Sequence, residues 1–173
     1  KNNDGKLQAW EAALVTELEL SGQSIKSLRG IEYFTELESL NCTSNLLTSL
    51  DVTNNRKLRA LWCKSNQIVS LDVTPLRDLQ ILNCESNRLT SLDVSQNTEL
   101  VHLLCGMNSG AMTDDDGITK IDVSNNPKLE TLSVYYLNLS ELDVTNNPSL
   151  KKLDFGMCCH TRWGDLTPIE HID

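Results

Sequence analysis

Residues 37–57 read LESLNCTSNLLTSLDVTNNRK, and most of the chain after them consists of copies of this 21-residue unit. The period is fixed by four cysteines and four asparagines at equal spacing, namely Cys42, Cys63, Cys84, Cys105, Asn45, Asn66, Asn87 and Asn108. A constant period of this length is typical of stacked coils, each too small to bury its own apolar side without its neighbours. The sequence therefore predicts a solenoid.

Each unit contains two related halves. The first half reads LxxLxCxxN from Leu37, and the second reads LxxLDVxxN from Leu47. Apolar and polar residues alternate over 40–42 and again over 50–52, which is the pattern of a short strand with one buried face. We expect the leucines and cysteines to point into the core and the residues between them to point outward. The repeated asparagines are expected to turn inward and bind backbone groups in the bends.

This double motif resembles the leucine-rich repeat family, in the short-coil class found in surface proteins of gut bacteria related to Bacteroides. The resemblance covers residues 15–158. It implies a leucine-rich-repeat solenoid of about seven coils, in which parallel strands stack and little helix is present apart from an N-terminal cap. It also implies an extracellular or cell-surface location.

The composition limits the class of protein. A single domain over residues 1–173 is expected, because 39% of the residues are hydrophobic and this length suffices for a continuous core. The formal net charge of -9 argues against binding to nucleic acid or to an anionic membrane, since both need clustered Lys and Arg. No run of about 18 apolar residues is present, so no membrane span is predicted. We expect a monomer.

Residues 1–14 precede the repeats and are predicted to form a cap. Leu7, Trp10 and Leu14 fall on one face of a helix, and the alanines between them favour helix formation. A short amphipathic helix here would cover the apolar end of the first coil, which would otherwise face water.

The same segment also matches part of an EF-hand calcium loop. Asn2, Asp4, Gly5, Leu7 and Glu11 occupy motif positions, although the first ligand position would precede Lys1. One interpretation is a degenerate calcium site with Asn2, Asp4 and Glu11 as ligands. The other is an Asp-Gly turn that leads into the cap helix. No other cofactor is expected.

The repeat is interrupted once and then ends. The interval from Cys105 to its next equivalent, Val134, is 29 residues, and the excess falls in an insertion at 109–117 that contains three consecutive aspartates. Insertions in solenoids usually form loops on one face of the stack. We expect this acidic loop to be solvated. Residues 159–173 no longer follow the repeat, and we expect them to form a C-terminal cap.

The cysteines are predicted to be buried free thiols. The four repeated cysteines share one inward column, where parallel side chains would hold their Cβ atoms further apart than the roughly 3.8 Å that a disulfide prefers. They are therefore expected to act as small hydrophobic residues. Cys158 and Cys159 are predicted to have a structural or incidental role, because a vicinal pair is poorly suited to tetrahedral metal binding.

Five aspartates form a second column, one in each second half-repeat: Asp51, Asp72, Asp93, Asp122 and Asp143. Neighbouring carboxylates about 4.8 Å apart would repel each other by about 0.9 kcal/mol in water, which is tolerable only on a wet surface. Nearby Ser and Thr residues are expected to donate hydrogen bonds to them. A groove for cations or basic partners is the alternative.

The outward residues of the first-half strands vary between copies, whereas the inward residues do not. Apolar, aromatic and amide side chains collect at the middle of this surface, and we predict that they bind a partner: Trp62, Ile81, Asn83, His102, Leu104 and Tyr135. Aromatic residues surrounded by polar ones are typical of binding hot spots. Single exposed apolar residues are also ordinary on protein surfaces, so the composition alone leaves both interpretations open.

Catalytic motifs are absent from the sequence. It contains no Gly-x-Ser-x-Gly, phosphate loop, His-Glu-x-x-His or dinucleotide fingerprint. A column of equivalent aspartates also lacks the two unequal carboxyl groups that acid–base catalysis needs. We therefore expect a non-catalytic module that binds a protein or a glycan at the bacterial cell surface. The alternatives are a structural spacer or adhesin segment without its own ligand, and a surface domain stabilised by calcium.

Overall fold

The computed structural model describes residues 8–108 and 117–156, and these residues form a solenoid around one parallel sheet. The helical elements are an α-helix, α1 (Ala9–Ala12), and a 3-10 turn at Ile31–Tyr33. Seven short strands follow the chain order across the sheet: β1 (Glu17–Glu19), β2 (Ser39–Asn41), β3 (Ala60–Trp62), β4 (Ile81–Asn83), β5 (His102–Leu104), β6 (Thr131–Ser133) and β7 (Lys152–Asp154). The predicted solenoid of stacked parallel strands is confirmed.

The sheet register reproduces the sequence period. Leu40 pairs with Leu61, which in turn pairs with Leu82, so equivalent positions of successive coils stand side by side. The register survives the insertion, because His102 of β5 pairs with Thr131 of β6 although they are 29 residues apart in the chain. Residues 109–116 of the insertion lie outside the described residues.

The core is a stack of leucine, valine, isoleucine and cysteine side chains between the two halves of each coil. Leu40, Leu61 and Leu82 are fully buried, as are the second-half residues Val52 and Val73. Cys42, Cys63, Cys84 and Cys105 are buried free thiols, as predicted. Burial raises the pKa of Cys42 to about 12. These thiols are therefore neutral packing groups, and Cys158 and Cys159 lie outside the described residues.

Asparagines close the bends that follow β2 to β5, whereas Leu137 takes this position after β6. The Asn66 side chain donates from Nδ2 to the carbonyl oxygens of Cys42 and Cys63, both at 3.0 Å, and its Oδ1 accepts from the Leu47 amide at 3.0 Å. Asn87 repeats these contacts one coil further on, with Ile68 as the amide donor. This is the inward structural role that the sequence predicted.

The N-terminal cap differs from the prediction. The helix is a single turn, Ala9–Ala12, which begins with a capping box in which Glu11 Oε2 accepts from the Gln8 amide at 3.0 Å. Ala12 is its buried residue, whereas Trp10 is 54% exposed and Leu14 is 72% exposed. The prediction that Trp10 and Leu14 cover the core is wrong, because so short a helix presents only one side chain to the first coil. Leu7 and the predicted C-terminal cap lie outside the described residues.

Candidate functional site

The candidate site is the outward surface of the parallel sheet, which we call the strand face. Its side chains form three columns, because strands in register place equivalent residues next to each other at about 4.8 Å. From β2 to β7 the first column is Ser39, Ala60, Ile81, His102, Thr131 and Lys152. The middle column is Asn41, Trp62, Asn83, Leu104, Ser133 and Asp154. The third column, two residues further along each chain segment, is Thr43, Lys64, Glu85, Gly106, Tyr135 and Gly156.

The sheet brings most of the predicted partner-binding residues together. Ile81 and His102 are direct neighbours in the first column, and Asn83 stands between Trp62 and Leu104 in the middle column. All five side chains are half-buried, because neighbouring columns crowd them on this flat surface.

Tyr135 belongs to the neighbouring third column, beside Gly106. A methyl group placed on Gly106 would come within 2.5 Å of Tyr135 Cδ1 and 2.6 Å of the Tyr135 carbonyl oxygen. The aromatic ring therefore occupies the space that any side chain at position 106 would need. Gly106 is required here for this close approach.

A buried carboxylate lies near this ring. Glu85 is only 4% exposed, and its Oε2 accepts from Lys64 Nζ at 2.8 Å while its Oε1 accepts from Ser133 Oγ at 3.3 Å. These contacts join residues from three coils. We call Lys64, Glu85, Ser133 and Tyr135 the Glu85 cluster.

The electrostatics of the Glu85 cluster follow from its burial. The hydrogen bond to Glu85 raises the pKa of Lys64, which keeps the ammonium group charged. Desolvation, together with the Glu85 charge, raises the pKa of Tyr135, so its hydroxyl stays protonated. The cluster thus places a fixed cation and a phenol beside the apolar centre of the strand face.

Sequence reasoning identified Tyr135 but missed Lys64, Glu85 and Ser133 as a unit. A signal was present, since Lys64 and Glu85 are opposite charges at equivalent positions of neighbouring coils. The Ser133 contact had no such signal, because it joins residues 48 positions apart across the coil that carries Gly106.

The aspartate column is satisfied locally. In each of these residues Oδ1 accepts from the backbone amide two residues ahead, and in Asp51 it also accepts from the Thr53 hydroxyl at 2.7 Å. The Thr53 hydroxyl lowers the pKa of Asp51, and the Ser95 amide lowers that of Asp93. These contacts fit the structural interpretation, in which the carboxylates stabilise the turn that follows them.

A metal site was predicted only at the N-terminus. Asn2 and Asp4 lie outside the described residues, and Glu11 binds the Gln8 amide. Over residues 8–108 and 117–156, no group of three His, Cys, Asp or Glu side chains is arranged to hold a metal ion. Calcium binding therefore stays a prediction. In the same part of the chain, no helix has the length and apolar character needed to cross a membrane.

Neither a family model nor a curated protein matches the sequence. Solved structures do match it. The functional domain of InlJ from Listeria monocytogenes, described as including a cysteine ladder, is 39% identical with a TM-score of 0.68. The match covers 86% of this chain and 36% of that domain.

Two further structures share the architecture. The leucine-rich repeat protein LIC12759 from Leptospira interrogans is 26% identical with a TM-score of 0.62, over 72% of this chain and 32% of that one. The plant peptide hormone receptor RGFR1, solved in complex with RGF2, is 21% identical with a TM-score of 0.68, over 81% of this chain and 24% of that one. The chain thus spans less than half the length of these three structures.

The Bacteroides-type subclass finds no support among these matches and stays a prediction. The broader likeness is clear, because these neighbours include a bacterial leucine-rich repeat protein and a domain with a ladder of cysteines like the column described above. Together with the parallel register of β1 to β7, they establish that this chain is a leucine-rich-repeat solenoid.

Proposed function

We propose that the chain is a non-catalytic module that binds a protein partner through the strand face, in an extracellular or cell-surface setting. The observation that supports this most directly is the contrast between a uniform core and a varied outer surface. The inward residues repeat from coil to coil, whereas the outward columns change residue type at almost every strand. Variation confined to one surface is what a recognition site on a fixed scaffold requires.

The middle of the strand face has the chemistry of a protein interface. Ile81 and Leu104 supply apolar area, with Trp62 and His102 beside them. Aromatic and aliphatic anchors surrounded by polar groups account for most of the binding free energy at such interfaces. One structural neighbour, RGFR1, was solved with RGF2 bound, which is consistent with this class of function.

The Glu85 cluster would orient the bound partner on the strand face. Lys64 is held by Glu85 at 2.8 Å, so its charge is fixed in place before a partner arrives. A group that is already ordered loses little side-chain entropy on binding. The partner is therefore expected to carry an apolar segment flanked by an acceptor or acidic group that reaches Lys64 and Tyr135.

The test compares one substitution on the strand face with a matched one elsewhere. Leu104→Asp places a charge at the centre of the face, whereas Val69→Asp places the same charge at an apolar residue that is 55% exposed and lies outside the strands. Proteins from cell-surface extracts that the unchanged chain captures should be retained by Val69→Asp and lost by Leu104→Asp. Capture of the same proteins by both variants would place the binding site elsewhere. The absence of any captured protein would favour the spacer interpretation.

A further inference from the structure

The strand face has a second feature at its N-terminal end, away from Leu104 and Tyr135. A shallow depression of about 650 Å³ lies between Glu19 of β1 and Trp62 of β3. Its floor consists of small polar residues on and after β1 and β2: Ser21, Ser39, Asn41, Thr43 and Ser44. We call it the N-terminal depression. Its volume falls within the range of roughly 300–1,000 Å³ that is usual for small-molecule sites.

The shape follows from residue size. Ser39 in the first column of β2, and Ser21 and Thr43 in the third column after β1 and β2, are small, whereas the next strand carries the large indole of Trp62. Small side chains leave a hollow, and the tryptophan lines its β3 side. The hollow therefore has one aromatic wall and an otherwise polar lining.

Two polar side chains in the depression are fixed before any ligand binds. Glu19 accepts from the Ser21 amide at 3.0 Å and from Asn41 Nδ2 at 2.8 Å. Asn41 is held from its other end, because its Oδ1 accepts from the Thr43 amide at 3.1 Å. The Ser21 hydroxyl also lowers the pKa of Glu19, so the carboxylate is ionised at neutral pH. It has acceptor capacity left, since a carboxylate offers about four lone-pair sites.

Three hydroxyl groups complete the lining. Those of Ser39, Thr43 and Ser44 make no hydrogen bond with any other residue in 8–108 or 117–156. Each can both donate and accept. The N-terminal depression thus offers an ionised acceptor, an amide and three hydroxyls around an aromatic wall.

We propose that the N-terminal depression binds a neutral saccharide. A pyranose ring has an apolar face of C–H bonds that packs against an indole, and a rim of hydroxyls that needs acceptors and donors in several directions. Glu19 would accept from sugar hydroxyls, and the amide and hydroxyls of the floor would bind the remaining ones. The fixed Glu19 charge and the net charge of -9 disfavour acidic sugars.

This site is separate from the proposed protein-binding centre, although Trp62 borders both. Glu19 and Ser39 lie two strands or more from Ile81 and Leu104. The two proposals therefore fail independently: loss of saccharide binding leaves the Leu104 test unaffected, and the reverse also holds.

The test is an amide NMR titration of the whole chain with neutral methyl glycosides of glucose, galactose and mannose, and with N-acetylneuraminic acid as the acidic comparison. At millimolar concentrations at least one neutral glycoside should shift the Trp62 indole resonance and the amides of 39–44. The acidic sugar should shift neither. If no neutral glycoside shifts these resonances, or if the acidic sugar shifts them equally, the proposal is overturned.

Three variants test whether the changes in the NMR resonances come from saccharide binding in the N-terminal depression. Ser39→Phe fills the floor, and Glu19→Gln removes the charge at an exposed position while keeping an oxygen that can accept from Asn41 Nδ2. Each should weaken saccharide binding by about tenfold, whereas Leu104→Ala, on the same face outside the depression, should leave it unchanged. The dispersion of the amide spectrum checks that each variant is folded. Equal binding by Ser39→Phe and Glu19→Gln, or loss in Leu104→Ala alone, would also overturn the proposal.

Discussion

The two halves of a regular coil contain a similar four-residue bend, Cys-x-x-Asn in the first half and Val-x-x-Asn in the second, yet the two bends are built differently. In the first, the asparagine satisfies all of its groups: Asn66 donates to two carbonyl oxygens and accepts from the buried Leu47 amide. Residues 8–108 and 117–156 provide that amide with no other acceptor. In coils with this asparagine the amide therefore depends on it. Leu137 takes the position after β6, and there the equivalent amide, that of Ile118, donates to the Asn108 carbonyl oxygen at 3.3 Å.

In the second bend the asparagine side chain donates hydrogen bonds but accepts none. Asn97 donates from Nδ2 to the carbonyl oxygens of Val73 and Leu76, both at 2.8 Å, but its buried Oδ1 accepts no hydrogen bond from the described residues. Both carbonyls already accept a backbone amide, those of Leu76 and Leu79. Two described coils carry another residue in place of this asparagine, namely Phe34 and Leu76.

The difference shows that equal residues at equal spacing can have unequal energetic weight. A buried amide without an acceptor costs about 1–3 kcal/mol, whereas removing a second donor from a carbonyl that is already bonded costs less. Substitutions in the two bends should separate accordingly.

The largest expected effect is a loss of folding stability at alkaline pH. It is caused by the buried cysteines, which only the first bend contains. Burial raises the pKa of Cys42 and Cys105 from 9.0 to about 12, and raises that of Cys63 and Cys84 well above 9.0. Because the folded pKa lies above the unfolded one, the stabilisation is complete below about pH 9 and is lost as the pH rises towards about 12. In that window, each thiol should lower the free energy of unfolding by about 1.4 kcal/mol per pH unit. Urea unfolding between about pH 8 and about pH 11 measures it.

A variant with valine at all four positions provides the control. Valine already occupies the equivalent position in the sixth coil, as Val134, where it is fully buried. The variant should lose most of the alkaline slope and keep its stability at neutral pH within a few kcal/mol. If the alkaline loss is the same in both proteins, groups other than the thiols cause it.

The next largest effect is expected for Asn66→Leu in the first bend. The change strands the Leu47 amide and removes a donor from the carbonyls of Cys42 and Cys63, which should lower the free energy of unfolding by about 3–4 kcal/mol. Urea unfolding at neutral pH gives the value. A loss below about 1 kcal/mol would mean that the two bends are equivalent after all.

The matched change in the second bend, Asn97→Leu, should cost much less. It removes two donors from carbonyls that keep their backbone partners, and it also removes the buried Oδ1 that has none. We expect a loss of about 1 kcal/mol by the same urea measurement. A loss as large as that of Asn66→Leu would contradict the distinction.

The smallest effect concerns the backbone of the first bend. The residue before the repeated asparagine has a positive φ in every described first-half bend, and Ser65, at 55°, is an example. Glycine adopts this conformation without the steric cost that a side chain brings, so Ser65→Gly should stabilise the chain by up to about 1 kcal/mol. Ser70→Gly, at an exposed residue with an ordinary φ, should instead destabilise it by about 0.5–1 kcal/mol. Thermal unfolding compares the pair, and a loss at both positions would show that the bend has no strain to relieve.

Much of this architecture was predictable from the sequence. The period of Cys42 and Asn45 fixes which residues pair in the sheet, and the alternation around Leu40 fixes which side chains point inward. Both signals are local and repeated, so every coil confirms the others. The inward role of the asparagines and the burial of the cysteines followed from the same pattern.

Features that depend on a single coil were not predictable in this way. The position of the Tyr135 ring over Gly106 and the contact of Glu85 with Ser133 join unlike residues of different coils, and no period reports them. The exposure of Trp10 was missed for a related reason, since a helical pattern gives the direction of a face but not the length over which the helix persists. The difference in hydrogen bonding between Asn66 and Asn97 could be recognised only from the partners that each side chain has in the structure.

The straight register of β1 to β7 has one further consequence. Each strand pairs only with the strands before and after it, so the duplication of one 21-residue unit would lengthen the rod by about 4.8 Å and leave every existing contact in place. Duplication of the DNA that encodes one unit would therefore lengthen the strand face by one strand at a time. The hydrophobic core would need no other change.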